Sequence, residues 1–309
     1  MTDNKFNKLS GQTRTPETCQ ASNSFDADET INEERSSYRQ IFKATSIFGG
    51  VQVINILIGI IRVKFVAILL GTAGVGISGL LNSPLQVIIS ITGLGISFSA
   101  VRDISISYGN GNETAISKTI KTLRKWSWLT GLLGLVVTVS FAPLLSQWSF
   151  GNRDYTWAFI WLSVTILLQA ISKGQSAILQ GTRRLKAMAK AGVIGSFLGL
   201  ITSIPLYYCF GLKGIVPAMI ITAVTGLLLS WYFSRKVPVK KVRLTSNEVI
   251  HRGFGMAKLG ISMTIAGFIA SLSTYILNAF ISHNGGVEQV GLYNAGWGVV
   301  GQYVSIIFA

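Results

Sequence analysis

SIFGGVQVINILIGIIRVKFVAILLGTAGVGISGLL, residues 46–81, carries only two charges, Arg62 and Lys64, in 36 positions. A helix needs about 20 apolar residues to cross a bilayer, so this run is too long for one crossing. Gly71, Gly74 and Gly76 interrupt it, and it reads as the end of one crossing helix followed by the start of another. Working outward with the same criterion, we expect helices at 41–70, 75–101, 126–148, 155–180, 191–210, 214–234, 256–281 and 290–309. Composition agrees: the 309 residues are 49% hydrophobic and 13% charged, against roughly 25% charged in an ordinary soluble domain. Trp126, Trp128, Trp148, Trp157 and Trp231 fall near predicted ends, where amphipathic rings prefer the membrane interface. The expected fold class is therefore all-α, a polytopic bundle of about eight transmembrane helices.

The net charge of +15 raises nucleic acid as a partner, but the cations are dealt out junction by junction and do not form one face. Lys118, Lys121, Arg124 and Lys125 form one cluster; Arg183, Arg184, Lys186 and Lys190 a second; Arg235, Lys236, Lys240, Lys241, Arg243, Arg252 and Lys258 a third. The alternate junctions hold little beyond Arg153 and Lys213. Cytoplasmic loops retain Lys and Arg, which places the clustered junctions and the N-terminus, with Arg35, Arg39 and Lys43, inside. Residues 1–36 are polar and acidic and are expected to be disordered. Residues 37–235 would form a six-helix N-terminal lobe, 236–255 a basic cytoplasmic loop, and 256–309 the first two helices of a second lobe that the chain leaves incomplete. A weak internal echo supports the second lobe: Lys43 to Gly76 and Lys258 to Gly291 have the same separation.

Several predicted helices carry polar stripes. At about 100° per residue, Thr45, Gln52, Asn55, Gly59 and Arg62 share one face of the first. Asn82, Gln86, Ser90, Gly93 and Ser97 do so on the second, and Thr165, Gln169, Ser172, Lys173, Ser176 and Gln180 on the fourth. The seventh has Gly260, Thr264, Gly267, Ser271, Thr274 and Asn278. Small and hydroxylated residues also mediate close helix packing, which is the alternative to a hydrated cavity for each stripe. An intramembrane cation costs about 2.5–3.5 kcal/mol on insertion scales, so Arg62 and Lys173 call for water, a ligand or a partner. Snorkelling to an interface is the alternative for both. Arg102, followed by Asp103, reads as a topological anchor with a local ion partner.

No carboxylate falls inside the predicted spans except Asp103 at an edge; Glu113, Asp154, Glu248 and Glu288 are in junctions. A carrier of organic cations or protons commonly needs a buried acid, whereas a polar, positive interior suits an anion such as phosphate. Cys19 and Cys209 make no disulfide framework or metal spacing, and His251 and His283 have no catalytic neighbours at motif spacing. We expect no enzyme, no cofactor and no metal.

The run 46–81, SAVRDIS at 99–105, LQGTRRLKAMA at 179–189 and EQVGLYNAGW at 288–297 together resemble the bacterial O-antigen translocases. These are the lipid-linked oligosaccharide flippases of the polysaccharide-transport branch of the multidrug, oligosaccharidyl-lipid and polysaccharide superfamily. The resemblance implies two six-helix lobes around a cavity with alternating access. It further implies outward flipping of undecaprenyl-pyrophosphate-linked O-antigen units across the bacterial inner membrane. Arg62 matches the family's basic position late in the first helix. Candidate substrate contacts are then Arg62 and Lys173 for pyrophosphate, with Gln52, Asn55, Asn82, Gln86 and Gln169 for sugar or phosphate. Expected partners are the lipid-linked glycan, membrane lipids and other membrane proteins of polysaccharide assembly, and no nucleic acid. A drug exporter of the same superfamily, a membrane glycan polymerase or glycosyltransferase, and an inactive fragment or assembly partner stand as alternatives.

Overall fold

A computed structural model describes residues 16–240, 242 and 245–307, and the side chains of the helical residues 16–48, 246, 263, 302, 303 and 305–307 are outside that description. Among the described residues the chain is built from seven α-helices and one short 3-10 turn. They are α1 (Pro16–Thr92), α2 (Ile96–Gly109), α3 (Glu113–Phe150), α4 (Thr156–Gly181), α5 (Leu185–Phe210), the turn Gly211–Gly214, α6 (Ile215–Ser234) and α7 (Ser246–Ile307). Five stretches are long and apolar enough to cross a membrane: Gly49–Thr92, Glu113–Phe150, Thr156–Gly181, Leu185–Ser234 and Thr264–Gly301. Three of them are divided, at Gly71, at Gly211–Gly214 and at Gly286, which yields eight limbs where the sequence predicts eight spans. We call the end bearing the clusters around Lys118, Arg183 and Lys236 the basic end. The end bearing Gly71, Asn152, Gly211 and Gly286 is the far end.

Residues up to 47 form a unit of their own, helical from Pro16. Composition points to disorder through residue 36, whereas 16–36 are helical and 1–15 lie outside the described residues. Pro16 has the fixed φ that suits a first helical position.

The second predicted span is shorter than expected, because α1 stops at Thr92 and Leu94 and Gly95 both take positive φ before α2 begins. The reason is a neighbour. A Cβ on Gly95 would run into the carbonyl of Gly260 and the hydroxyl of Thr264 on α7, so the chain turns where two backbones touch. α3 starts well before the predicted 126, since the Asn112 side chain accepts from Ala115 N at 3.0 Å and Glu113 occupies the first turn. The cluster Lys118 to Lys125 is therefore a helical stem and not a loop.

Packing follows the chemistry of a lipid solvent. On α3, Leu129, Leu132, Leu133 and Val136 recur at helical spacing and are all about half exposed or more, while Thr130, Gly131, Gly134 and Thr138 on the other side are buried. Gly131 and Gly134 let α4 approach closely: a Cβ there would lie 2.8 Å from Leu167 Cδ1 and 2.7 Å from Ile166 Cγ2. Toward the far end, Leu81, Leu85, Phe159, Leu162, Ile166 and Ile215 form one core; Ile104, Ile120, Leu123, Ile178, Val249 and Met256 form another at the basic end.

At that basic end the connection from α6 to α7 is held against α3. Lys240 pairs with Glu113 at 2.7 Å, Lys118 and Arg252 converge on Glu248 at 3.6 and 3.3 Å, and Lys121 donates to the Val242 carbonyl. Trp126, predicted to lie at the interface, is instead buried and donates from Nε1 to Val249 O at 3.0 Å. Trp128, Trp148, Trp157 and Trp231 are exposed.

The internal echo has a structural counterpart. Gly71 (φ 69°, ψ −172°) and Gly286 (φ 80°, ψ 173°) are non-helical in the same way, and they stand 215 positions apart, as Gly76 and Gly291 do. A Cβ on Gly76 would strike the carbonyl of Val287, and one on Gly291 would strike the carbonyl of Thr72. Thr72 and Val287 are again 215 apart, so one contact occurs twice with the two limbs exchanging roles. Gly79 faces Asn294, its own counterpart at the same offset.

Candidate functional site

Arg62 decides the site because its position is costly. It lies nine residues before the Gly71 break, about 13 Å along the helix axis, in a largely apolar segment whose other charge is Lys64. Snorkelling would turn it outward, yet the guanidinium Nη2 donates to Thr222 Oγ1 on α6 at 3.3 Å, and Arg62 is half-buried. Lys64, two residues on, is exposed.

Two cavities meet at this residue. One, of about 520 Å³, is lined by Arg62, Ser78, Asn82, Thr165, Gln169 and Asn294 among others. The second, of about 380 Å³, is lined by Asn55, Arg62, Ser176, Ser196 and Ser230 among others. Arg62, Ser172, Thr222 and Gly226 line both, so the guanidinium stands at the waist between two chambers of mixed polar and apolar lining, the larger one reached also by Asn294 of α7. Neither lining includes an Asp or Glu, and among the described residues Arg62 has no carboxylate partner. A guanidinium with N–H donors to spare and no internal counter-ion has the chemistry to pair with an anionic oxygen group.

Of the residues predicted from the sequence, Arg62, Asn55, Asn82 and Gln169 come together here. Asn55 Oδ1 accepts from Ser196 at 3.0 Å, and Asn82 Oδ1 accepts from Gln86 Nε2 at 3.4 Å. Gln86 lines neither chamber and reaches them only through Asn82. Gln52 is exposed and lines neither chamber. The side chain of Thr45 lies outside the described residues.

Lys173 departs from the expected grouping. It lines a separate cavity of about 190 Å³ together with Ser90, Ser97, Ser127, Thr130 and Thr264. The stripe on α4 is narrower than its polar residues suggest: consecutive residues are 100° apart, and Ser172 already faces α6, bonding Ser230 at 3.0 Å. The next residue must turn toward α3 and α7. Arg102 and Asp103 are likewise not an ion pair among the described residues, since adjacent helical residues diverge. Burial raises the Asp103 carboxyl above its ordinary range, and the nearby Arg102 charge opposes the rise.

Part of the seventh-helix stripe is used for packing. Ser271 and Ser90 hydroxyls lie 3.3 Å apart, and Gly260 abuts Gly95. Polar lining residues not expected from the sequence include Ser78, Ser196, Thr222, Ser230 and Asn294. The strong hydrophobicity of α5 and α6 hides a readable signal, Thr222, Gly226 and Ser230 at successive turns of one face. Among the described residues no cluster of His, Cys, Asp or Glu could hold a metal ion.

Solved structures share the fold. An inward-facing multidrug-resistance MATE transporter of the MOP superfamily superposes with a TM-score of 0.65 at 17% identity, covering 82% of this chain and 59% of that one. The MATE multidrug transporter DinF-BH, solved in complex with a ligand, gives 0.61 at 17% identity, with 84% and 59% covered. A MOP-superfamily transporter from Pyrococcus furiosus, reported for the reverse polarity of its binding pocket, gives 0.60 at 16% identity, with 86% and 61% covered. The chain thus has the all-helical fold of these multi-pass membrane transporters and spans about three-fifths of their length. No curated protein matches it by sequence. Residues 41–309 match the family described as polysaccharide biosynthesis protein, and the chain belongs to that family.

Proposed function

We propose that the chain serves a flippase that carries undecaprenyl-pyrophosphate-linked O-antigen units from the cytoplasmic to the periplasmic leaflet of a bacterial inner membrane. The basic end would face the cytoplasm, together with the N-terminus. The observation that carries the proposal is Arg62 at the waist of two chambers, each with several polar side chains and no carboxylate in its lining. The pyrophosphate would pair with its guanidinium, while Asn82, Gln169 and Asn55 would hydrogen-bond phosphate or the first sugar, and the polyprenyl chain would stay in lipid. No covalent bond changes; the work is translocation by alternating access. The chamber of about 520 Å³ falls within the range of small-molecule sites, enough to hold a headgroup while the rest of the glycan projects.

Drug export is the competing reading, favoured by the structural likeness to multidrug transporters. An organic cation would be repelled by a lining whose only charge is positive, which weighs against it. The two readings part under Arg62→Ala, tested in a strain whose own flippase is deleted. We expect loss of surface glycan with the protein still in the membrane and no change in drug sensitivity. Retained glycan export would sink the assignment.

A further inference from the structure

A groove that shares no residue with the chambers lies at the far end, between the start of α4, the start of α6 and the second limb of α1. Its volume is about 910 Å³. The groove has a polarity gradient along the axes of α4 and α6. At its mouth are Asp154 and Lys213, both exposed and neither in an ion pair among the described residues. Below them the walls are apolar: Trp161 sits about 8 Å along α4 from its start, Ile221 about 9 Å along α6, with Leu81 opposite. Trp157 and Trp161 line the groove and are 72% and 61% exposed, so indole surface there is free for an occupant.

We propose that this groove binds one phospholipid with a zwitterionic, amine-bearing headgroup from the leaflet at the far end. The match is one of order. A phospholipid has an anion and a cation side by side at interface depth and hydrocarbon directly beneath, and the groove has Lys213 and Asp154 at its mouth with indole and aliphatic walls beneath. Lys213 takes the phosphate oxygens and Asp154 accepts from the ammonium N–H groups, each as a charge-assisted hydrogen bond. The acyl chain lies along Trp157 and Trp161, whose amphipathic rings prefer this depth. A purely anionic headgroup would satisfy Lys213 but would set its charge against Asp154. A polyprenyl chain carrying only phosphate would leave the carboxylate equally unmatched.

Native mass spectrometry of the full chain in detergent, offered equal phosphatidylethanolamine and phosphatidylglycerol, tests the assignment. We expect one retained phosphatidylethanolamine, favoured about fivefold over phosphatidylglycerol, as suits one partly exposed charge pair. Asp154→Asn should erase that preference, and Lys213→Gln should lower retention of both lipids. Both side chains are exposed, so neither change threatens folding. Equal retention of the two lipids by the unaltered chain, a preference that survives Asp154→Asn, or displacement of phosphatidylethanolamine by an equal amount of polyprenyl phosphate would each overturn the proposal.

Discussion

Arg62 and Asp103 are both charges that the protein shelters incompletely, and the consequences differ. Removing Arg62 eliminates a cation whose desolvation costs about 2.5–3.5 kcal/mol on insertion scales, at the loss of one 3.3 Å bond to Thr222. Arg62→Ala should therefore leave the melting temperature in detergent unchanged or raised, even as export fails; a marked fall would make Arg62 a structural strut. Arg62→Lys keeps the charge but not the planar fork, and should restore export only in part, roughly tenfold below the unaltered protein. For Asp103 the folded protein holds the proton more tightly than the unfolded chain does, because burial outweighs Arg102. The sheltered carboxyl is then at no disadvantage below its unfolded value near 3.8 and becomes a liability as pH rises through the raised folded value. Asp103→Asn should raise the melting temperature at pH 7 and lose that advantage at pH 3.5, which a pair of thermal scans would show. Residue identities make Arg62 legible from the sequence, since a guanidinium in an apolar run has few explanations. Lys173 is not placed by the same reasoning, because stripe analysis tolerates a 100° error that the neighbouring helices do not.

Helix contacts in this bundle depend on side chains that are absent. Gly76 and Gly291 each sit against a carbonyl of the opposite limb, and neither carbonyl can swing away without unwinding a helix. Gly76→Leu and Gly291→Leu should each destabilise the fold by about 1–3 kcal/mol, with similar losses because the two contacts are the same contact. A large loss at one position and none at the other, in chemical denaturation, would show that the crossing is not reciprocal. Trp126→Phe removes a single buried bond to Val249 O and should cost about 1 kcal/mol. The eight limbs can be read from hydropathy, and the turns at Gly71 and Gly286 from glycine clusters. The break at Gly93 to Gly95 cannot, because its cause, the backbone of Gly260, lies far along the chain. Ser196 and Thr222 are hidden for a related reason: a hydroxyl in a strongly apolar helix looks like packing until its neighbour is known.

For the molecule as a whole, the distribution of cations is the broadest statement the chain makes about itself. If the basic end faces the cytoplasm, a cysteine at Asn152 in a Cys19→Ser, Cys209→Ser background should react with a membrane-impermeant maleimide added to intact spheroplasts. One at Lys186 should react only after permeabilisation. The reverse pattern would invert the topology. Both positions are exposed, so reagent access is set by the membrane and not by the fold. The repeated crossing at Gly76 and Gly291 also bears on how substitutions act. In a two-fold dimer one such patch would serve both sides, and every change in it would act twice. Within a single polypeptide the two copies of the contact vary independently. The facing pair Gly79 and Asn294 shows that freedom: one site, two unlike side chains, and an asymmetry that a self-paired protein could not hold.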